Sequence, residues 1–172
     1  MKDFTTGNET KLILNFTLPM LLGNVFQQLY NVVDSIIVGK VLGKEALASV
    51  GASFPIIFTL IALLIGIGSG FSIVISQFYG AKDIKSVKRS IDTMYLFLFV
   101  AGLLVSFLGI YYSTELFMLL QLPAELIPQA TTYLNIYMAG MVMFFGFNGT
   151  SSVLRGLGDS KTPLYFLILP LL

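Results

Sequence analysis

Apolar residues run along this chain in long unbroken stretches, without the alternation of a half-buried strand. FTLIALLIGIG and YLFLFVAGLLVSFLG are continuous, whereas transmembrane strands show segments of ~10 residues that alternate polar and apolar. A membrane-crossing helix needs ~20 mostly apolar residues. Four stretches qualify, roughly residues 12–38, 46–78, 91–112 and 128–154. A fifth begins at 162, and the residues present, 162–172, are too few to cross the hydrocarbon. The pattern predicts an all-α fold: a polytopic membrane helix bundle with four full transmembrane helices and the start of a fifth. With no internal repeat and no low-complexity linker, residues 1–172 read as one helical unit, a partial transmembrane lobe of a longer protein.

Composition agrees. The chain is 56% hydrophobic and 11% charged, where soluble domains run at about 45–50% and about 25%. A net charge of +1 gives no basic surface for nucleic acid. Cysteine is absent, which removes disulfides and thiolate metal sites, and histidine is absent too. A proton handled near neutral pH therefore has to ride on a carboxylate. No enzyme activity and no cofactor are expected. The N-terminal MKDFTTGNETK carries acids and feeds no short apolar core with a small-residue cleavage site, so it does not read as a removable signal peptide.

Positive charge sets an orientation. Lys2 and Lys11 precede the first helix, Lys40 and Lys44 follow it, and Lys82, Lys85, Lys88 and Arg89 follow the second. None lies between the third and fourth, while Arg155 and Lys161 follow the fourth. With the N-terminus inside, eight of these ten residues are cytoplasmic. Cytoplasmic loops carry the excess of Lys and Arg, so an N-in protein of the cell (inner) membrane is expected.

One helix breaks the apolar pattern. Asn24, Gln27, Gln28, Asn31, Asp34 and Ser35 recur at helical spacing on the first segment and fill an arc of about 120°. Unpaired polar groups cost several kcal/mol in hydrocarbon, so this stripe has to face other helices or water. Interhelical hydrogen bonding accounts for the amides as well as cavity lining does. Asp34 is different, because a charge at the bilayer centre costs at least about 2.5–3.5 kcal/mol and usually marks an ion or proton pathway. Tyr30, one turn earlier, either donates to that carboxylate or is an ordinary interfacial tyrosine. Pro19 removes a backbone hydrogen bond from the same helix and invites a kink.

Two glycine-rich pieces carry no chemistry. In GIGSG, Gly66 and Gly70 have the small-xxx-small spacing that lets helices approach, continued by Ser72, Ser76 and Gly80. A third glycine for a dinucleotide loop is missing, since Phe71 stands there. In LRGLGDSKTP, Gly156 and Gly158 are expected to end the fourth helix. Asp159 or Ser160 then caps the next, and Pro163 suits its first turn. The basic stretch between Gly80 and Ser90 reads as a solvated loop, with lipid headgroups as its second use.

Taken in order, an early proline in the first helix, QQLYNVVDSIIVGKVLGKEALASVG, GIGSGFSIVISQFYGAKD and LRGLGDSKTP resemble the multidrug and toxic compound extrusion (MATE) transporters. The resemblance covers nearly the whole chain. It implies twelve helices in two six-helix lobes, of which this chain supplies the first part of the N-terminal lobe and the C-terminal remainder of the same transporter the rest. It also implies exchange of H⁺ or Na⁺ for an organic, often cationic, small-molecule substrate. The first-helix acid is a protonation or cation site in that family, a role that falls here on Asp34, with Na⁺ as one candidate ion and Tyr30 beside it. Asn24, Gln27, Gln28, Asn31 and Ser35 are candidates for lining the cavity by geometry alone. Alternatives are a lipid-linked saccharide flippase of the same superfamily and a non-transporting membrane scaffold or channel subunit. The flippases favour basic cavities, whereas the charge deep in this helix is acidic.

Overall fold

In the computed structural model the described residues, 9–41 and 43–168, form seven helices and no strand. They are α1 (Glu9–Val41), α2 (Lys44–Gly80), α3 (Ile84–Tyr111), α4 (Ser113–Leu119), α5 (Ile127–Ala139), α6 (Met141–Gly156) and α7 (Lys161–Ile168). Residues 169–172 of the expected fifth segment lie outside the described residues. Three helices are long and apolar enough to span a membrane, and α5 with α6 makes a fourth span bent by 47°. The all-α membrane bundle predicted from the pattern is the observed fold.

The core is a three-helix seam. Residues buried on α2 are Ser49, Ser53, Ile57, Leu64, Gly68 and Ile75; on α3 they are Val87, Met94, Leu98 and Gly102. On α5 and α6 the line runs through Ala130, Leu134, Met138, Met141, Phe145, Gly149 and Gly156. Steps of three, four and seven keep one narrow face turned inward, the geometry of left-handed helix packing. Lipid tails are as apolar as leucine, so close van der Waals contact has to drive this association. Small residues allow it. A methyl on Gly102 would sit 3.3 Å from the Val142 Cα, and one on Gly156 would sit 2.9 Å from the Ser72 carbonyl oxygen.

Here the structure corrects the reading of GIGSG. Gly66 and Gly70 have open space where a Cβ would stand, while a Cβ on Gly68 would stand 2.6 Å from the Ser152 hydroxyl. The buried positions step from Leu64 to Gly68 to Ile75, and at 100° per residue Gly66 and Gly70 point to roughly the opposite side. Ser76 and Gly80 are likewise exposed. Gly156 does not turn the chain either, since it is still helical and packed on α2. That turn falls to Gly158, at φ 84°, with the Asp159 amide donating to the Leu154 carbonyl at 2.8 Å. This is a Schellman ending, which favours glycine at the left-handed position.

Three further boundaries differ from the hydropathy pattern. First, α3 begins seven residues before position 91, because Asp83 caps it: its carboxylate accepts from the Ser86 amide at 3.1 Å and hydroxyl at 2.6 Å. These bonds hold the Asp83 carboxyl below the usual carboxylate range. The basic stretch is therefore mostly helix, with only Ala81 to Asp83 as loop. Second, residues 113–119 form a short helix that buries Phe117, beneath the length at which a span can be read. Third, the fourth segment is broken at Gly140, and Tyr137 and Phe144 touch across the break with ring centroids 6.4 Å apart. The Asp159-or-Ser160 alternative resolves to Asp159, which accepts from the Lys161 and Thr162 amides and the Thr162 hydroxyl.

Candidate functional site

α1 carries the site candidates and is the least embedded helix. No residue of its most apolar window is buried; it touches α7 and packs against α2. Lys40 in its last turn suits the helix dipole, and the helix runs unbroken through Pro19. Because α1 extends to Val41, Asp34 lies seven residues from its end, roughly 10 Å at 1.5 Å per residue. That is deeper than an end at residue 38 would put it.

The polar stripe splits into two shoulders. Gln28, Asn31 and Ser35 line a groove of about 620 Å³ between α1 and α2, together with Val32, Gly39, Leu47 and Phe54, and with Lys40 at its end. Local bonds order this shoulder: Asn31 Nδ2 donates to Gln28 Oε1 at 3.1 Å, and the Ser35 hydroxyl to the Asn31 carbonyl at 2.8 Å. Asp34, Gln27 and Tyr30 fall on the other shoulder, about 60–120° round the helix from Asn24. The stripe is exposed rather than buried within this chain; only Ser35 is half-buried.

Asp34 lies on a helix that packs against α2 and α7. The carboxylate is within electrostatic reach of the Tyr133 phenol, and Tyr137, one turn along α5, is within reach of Tyr133. Among the described residues Asp34 has no hydrogen bond and no ion pair. Tyr30 stands more than a third exposed on the same shoulder. Of the residues named from sequence, the structure groups Asp34, Gln27 and Tyr30 on one side and Gln28, Asn31 and Ser35 on the other. Asn24 lies an inner turn away from both clusters.

Tyr133 and Tyr137 were not visible from sequence as site residues. Their only signal is the i, i+4 pair of phenols in YLNIYMAG, which nothing in the linear chain connects to a residue a hundred positions earlier. Asn135 Oδ1 and Thr131 Oγ1 on the same helix are buried without a hydrogen-bond partner. No cluster of three or more carboxylate, imidazole or thiolate side chains stands ready for a metal ion among the described residues. Asp34 alone offers one carboxylate. A second cavity, of about 510 Å³, lies between α1, α2 and α6; Ser69, Ser72, Ser76, Asn148, Ser152 and Arg155 line it, and it holds no acid.

Comparison with known proteins places this geometry. The model of the family named MatE matches residues 19–172. The Bacillus subtilis (strain 168) proteins named "Probable multidrug resistance protein YpnP" and "Probable multidrug resistance protein YoeA" are 38% identical over 96% of this chain and 39% identical over 89% of it. The solved structure "Crystal structure of MATE in the straight conformation" superposes with a TM-score of 0.87 at 30% identity, over 95% of this chain and 36% of that one. The chain spans 37% and 33% of the two Bacillus relatives, about a third of their length.

Proposed function

The chain belongs to the MatE family, and from that premise we propose that it forms the first part of the N-terminal lobe of a secondary antiporter. This transporter exports organic, predominantly cationic solutes in exchange for H⁺ or Na⁺. Family membership and the relatives' names support a multidrug-efflux-type membrane transporter; the exchange, the ion and the solute charge are our own reading. The relatives' names speak of multidrug resistance, which supports an organic solute.

One observation carries the reading. Asp34 is the one carboxylate in the apolar stretch Thr10–Val41 of α1, without an ion-pair or hydrogen-bond partner among the described residues. An unpaired charge at this depth has to be offset by something that arrives and leaves. A proton or Na⁺ from outside neutralises it, and the coupling ion is thus a substrate of the exchange. Neutralisation changes the relative stability of states that keep the site wet or closed, and it shifts that balance only by the ion's differential affinity for the two. Tyr30 and Gln27 supply an oxygen and an amide on the same shoulder of α1. Gln28, Asn31 and Ser35 face the α1–α2 groove, where a solute can make hydrogen bonds against apolar walls. Asn24 continues the line inward.

With the N-terminus cytoplasmic, in the cell (inner) membrane, Asp34 lies in the outer half and exchanges its ion with the outside. The test is Asp34→Asn in the full-length protein, a near-isosteric neutral replacement. It should insert and fold normally yet lose export driven by an ion gradient in proteoliposomes. Undiminished gradient-driven export by that variant would reduce Asp34 to a structural residue.

A further inference from the structure

We propose that the start of α3 is a binding site for an anionic phospholipid, whose headgroup rests on Lys85, Lys88 and Arg89 and whose acyl chains lie along the exposed face of the same helix. The three cations fall within an arc of about 100° at helical spacing, and all are exposed. Below them on that arc stand the exposed Asp92 and then Leu96, Phe99, Leu103 and Phe107, at 67%, 55%, 47% and 69% exposure. The buried line of α3, Val87, Met94 and Leu98, points away.

Depth fits a lipid. α3 has 28 residues, about 42 Å of helix, against a hydrocarbon core of about 30 Å. Roughly eight residues therefore project into the polar layer, and if the excess lies at the capped end they are Ile84 to Ile91. Arg89 to Leu96 is about 10 Å of rise, a headgroup-to-chain distance. Two acids lie nearby. Asp83 is turned into its own cap by the two bonds from Ser86, and Asp92 pairs with none of the three cations, which have no ion pair among the described residues. The cap also fixes where the helix starts, so the cations present a set geometry to the interface. A phosphodiester there meets three donors in place of water. Because the acyl stripe resumes at Leu96, one turn past Asp92, a lipid of the leaflet at this end satisfies both halves of the surface, which a free phosphate does not.

Native mass spectrometry of the full-length transporter, with phosphatidylglycerol and phosphatidylcholine added in equal amounts to the detergent, tests this. Each cation near a membrane surface is worth about fivefold in affinity for an anionic lipid. The wild-type protein should retain phosphatidylglycerol at least tenfold better than phosphatidylcholine. A K85Q/K88Q/R89Q variant should lose that preference, while K85R/K88R and the single distant change K161Q keep it. All these positions are exposed, and a matching wild-type elution profile checks that the triple variant is folded. Equal retention of the two lipids by the wild type, or an unchanged preference in the folded triple variant, overturns the assignment.

Discussion

Replacing Gly156 with alanine would put a methyl carbon 2.9 Å from the Ser72 carbonyl oxygen and 3.1–3.2 Å from Ile75. The same change at Gly149 would put it 2.6 Å from the Leu98 Cδ1. By distance alone Gly149→Ala is the worse clash, yet the physics ranks them the other way. Leu98 Cδ1 is the tip of a rotatable side chain, and moving it off its rotamer costs of order 0.5–1.5 kcal/mol. Helix propensity returns about 0.8–1.0 kcal/mol when alanine replaces glycine, so Gly149→Ala should come out near neutral. At Gly156 the obstacle is the backbone of α2, which moves only if the helix moves, and overpacking of that kind costs about 1–3 kcal/mol. Gly156 is also the last residue of α6, where the propensity gain is smaller. We expect Gly156→Ala to destabilise by about 1–3 kcal/mol. Because the shift per kcal/mol falls with size, to below about 2 °C beyond 250 residues, the thermal midpoint of the full-length protein in detergent should fall by no more than a few degrees. The readout is the fraction of protein remaining monodisperse after heating at a series of temperatures. An unchanged midpoint for Gly156→Ala, or a larger fall for Gly149→Ala, would refute the ranking.

Tyr133→Phe removes a phenolic oxygen within electrostatic reach of Asp34 and should lower gradient-driven export several-fold in proteoliposomes without changing the thermal midpoint; full export would remove Tyr133 from the site. Asp159→Ala deletes the α7 cap and should cost about 1 kcal/mol at pH 7. The Thr162 hydroxyl, ahead of the Thr162 and Lys161 amides, holds the Asp159 carboxyl below the usual carboxylate range. A depressed carboxylate stabilises the fold above its unfolded value, and that contribution is lost as pH falls through the folded one. Wild type and variant should therefore differ equally at pH 7 and pH 5 and converge only below about pH 4. Convergence already at pH 5 would contradict the sign. A single cysteine at Lys85 should resist an impermeant reagent applied outside intact cells, with no native cysteine in this chain to interfere; labelling from outside would reverse the proposed topology.

Spans were legible because twenty apolar residues in a row have few other uses. The ends were not, since capped charged turns such as Asp83 to Arg89 are helical for reasons of local hydrogen bonding to which hydropathy is blind. Glycine spacing misled at Gly66 and Gly70 because a pair four apart says that a face is small without saying which way it points. Only the buried steps through Leu64, Gly68 and Ile75 fix that direction. Asp34 could be singled out from one helix alone, through the cost of its charge. Tyr133 on α5 could not be linked to it, because the two lie about a hundred positions apart in sequence.

The 47° bend at Gly140 divides labour within one span. Tyr133 and Tyr137 belong to the segment on one side of it, and the glycines that hold α6 tightly against α2 and α3 belong to the other. A straight helix would set both segments at one angle, whereas the bend lets each pack on α2 and α3 at its own, through Ala130, Leu134 and Met138 on one side and Gly149 and Gly156 on the other. Tyr137 and Phe144 touch across the joint. The two halves can then be fitted to their neighbours separately along a single stretch of sequence.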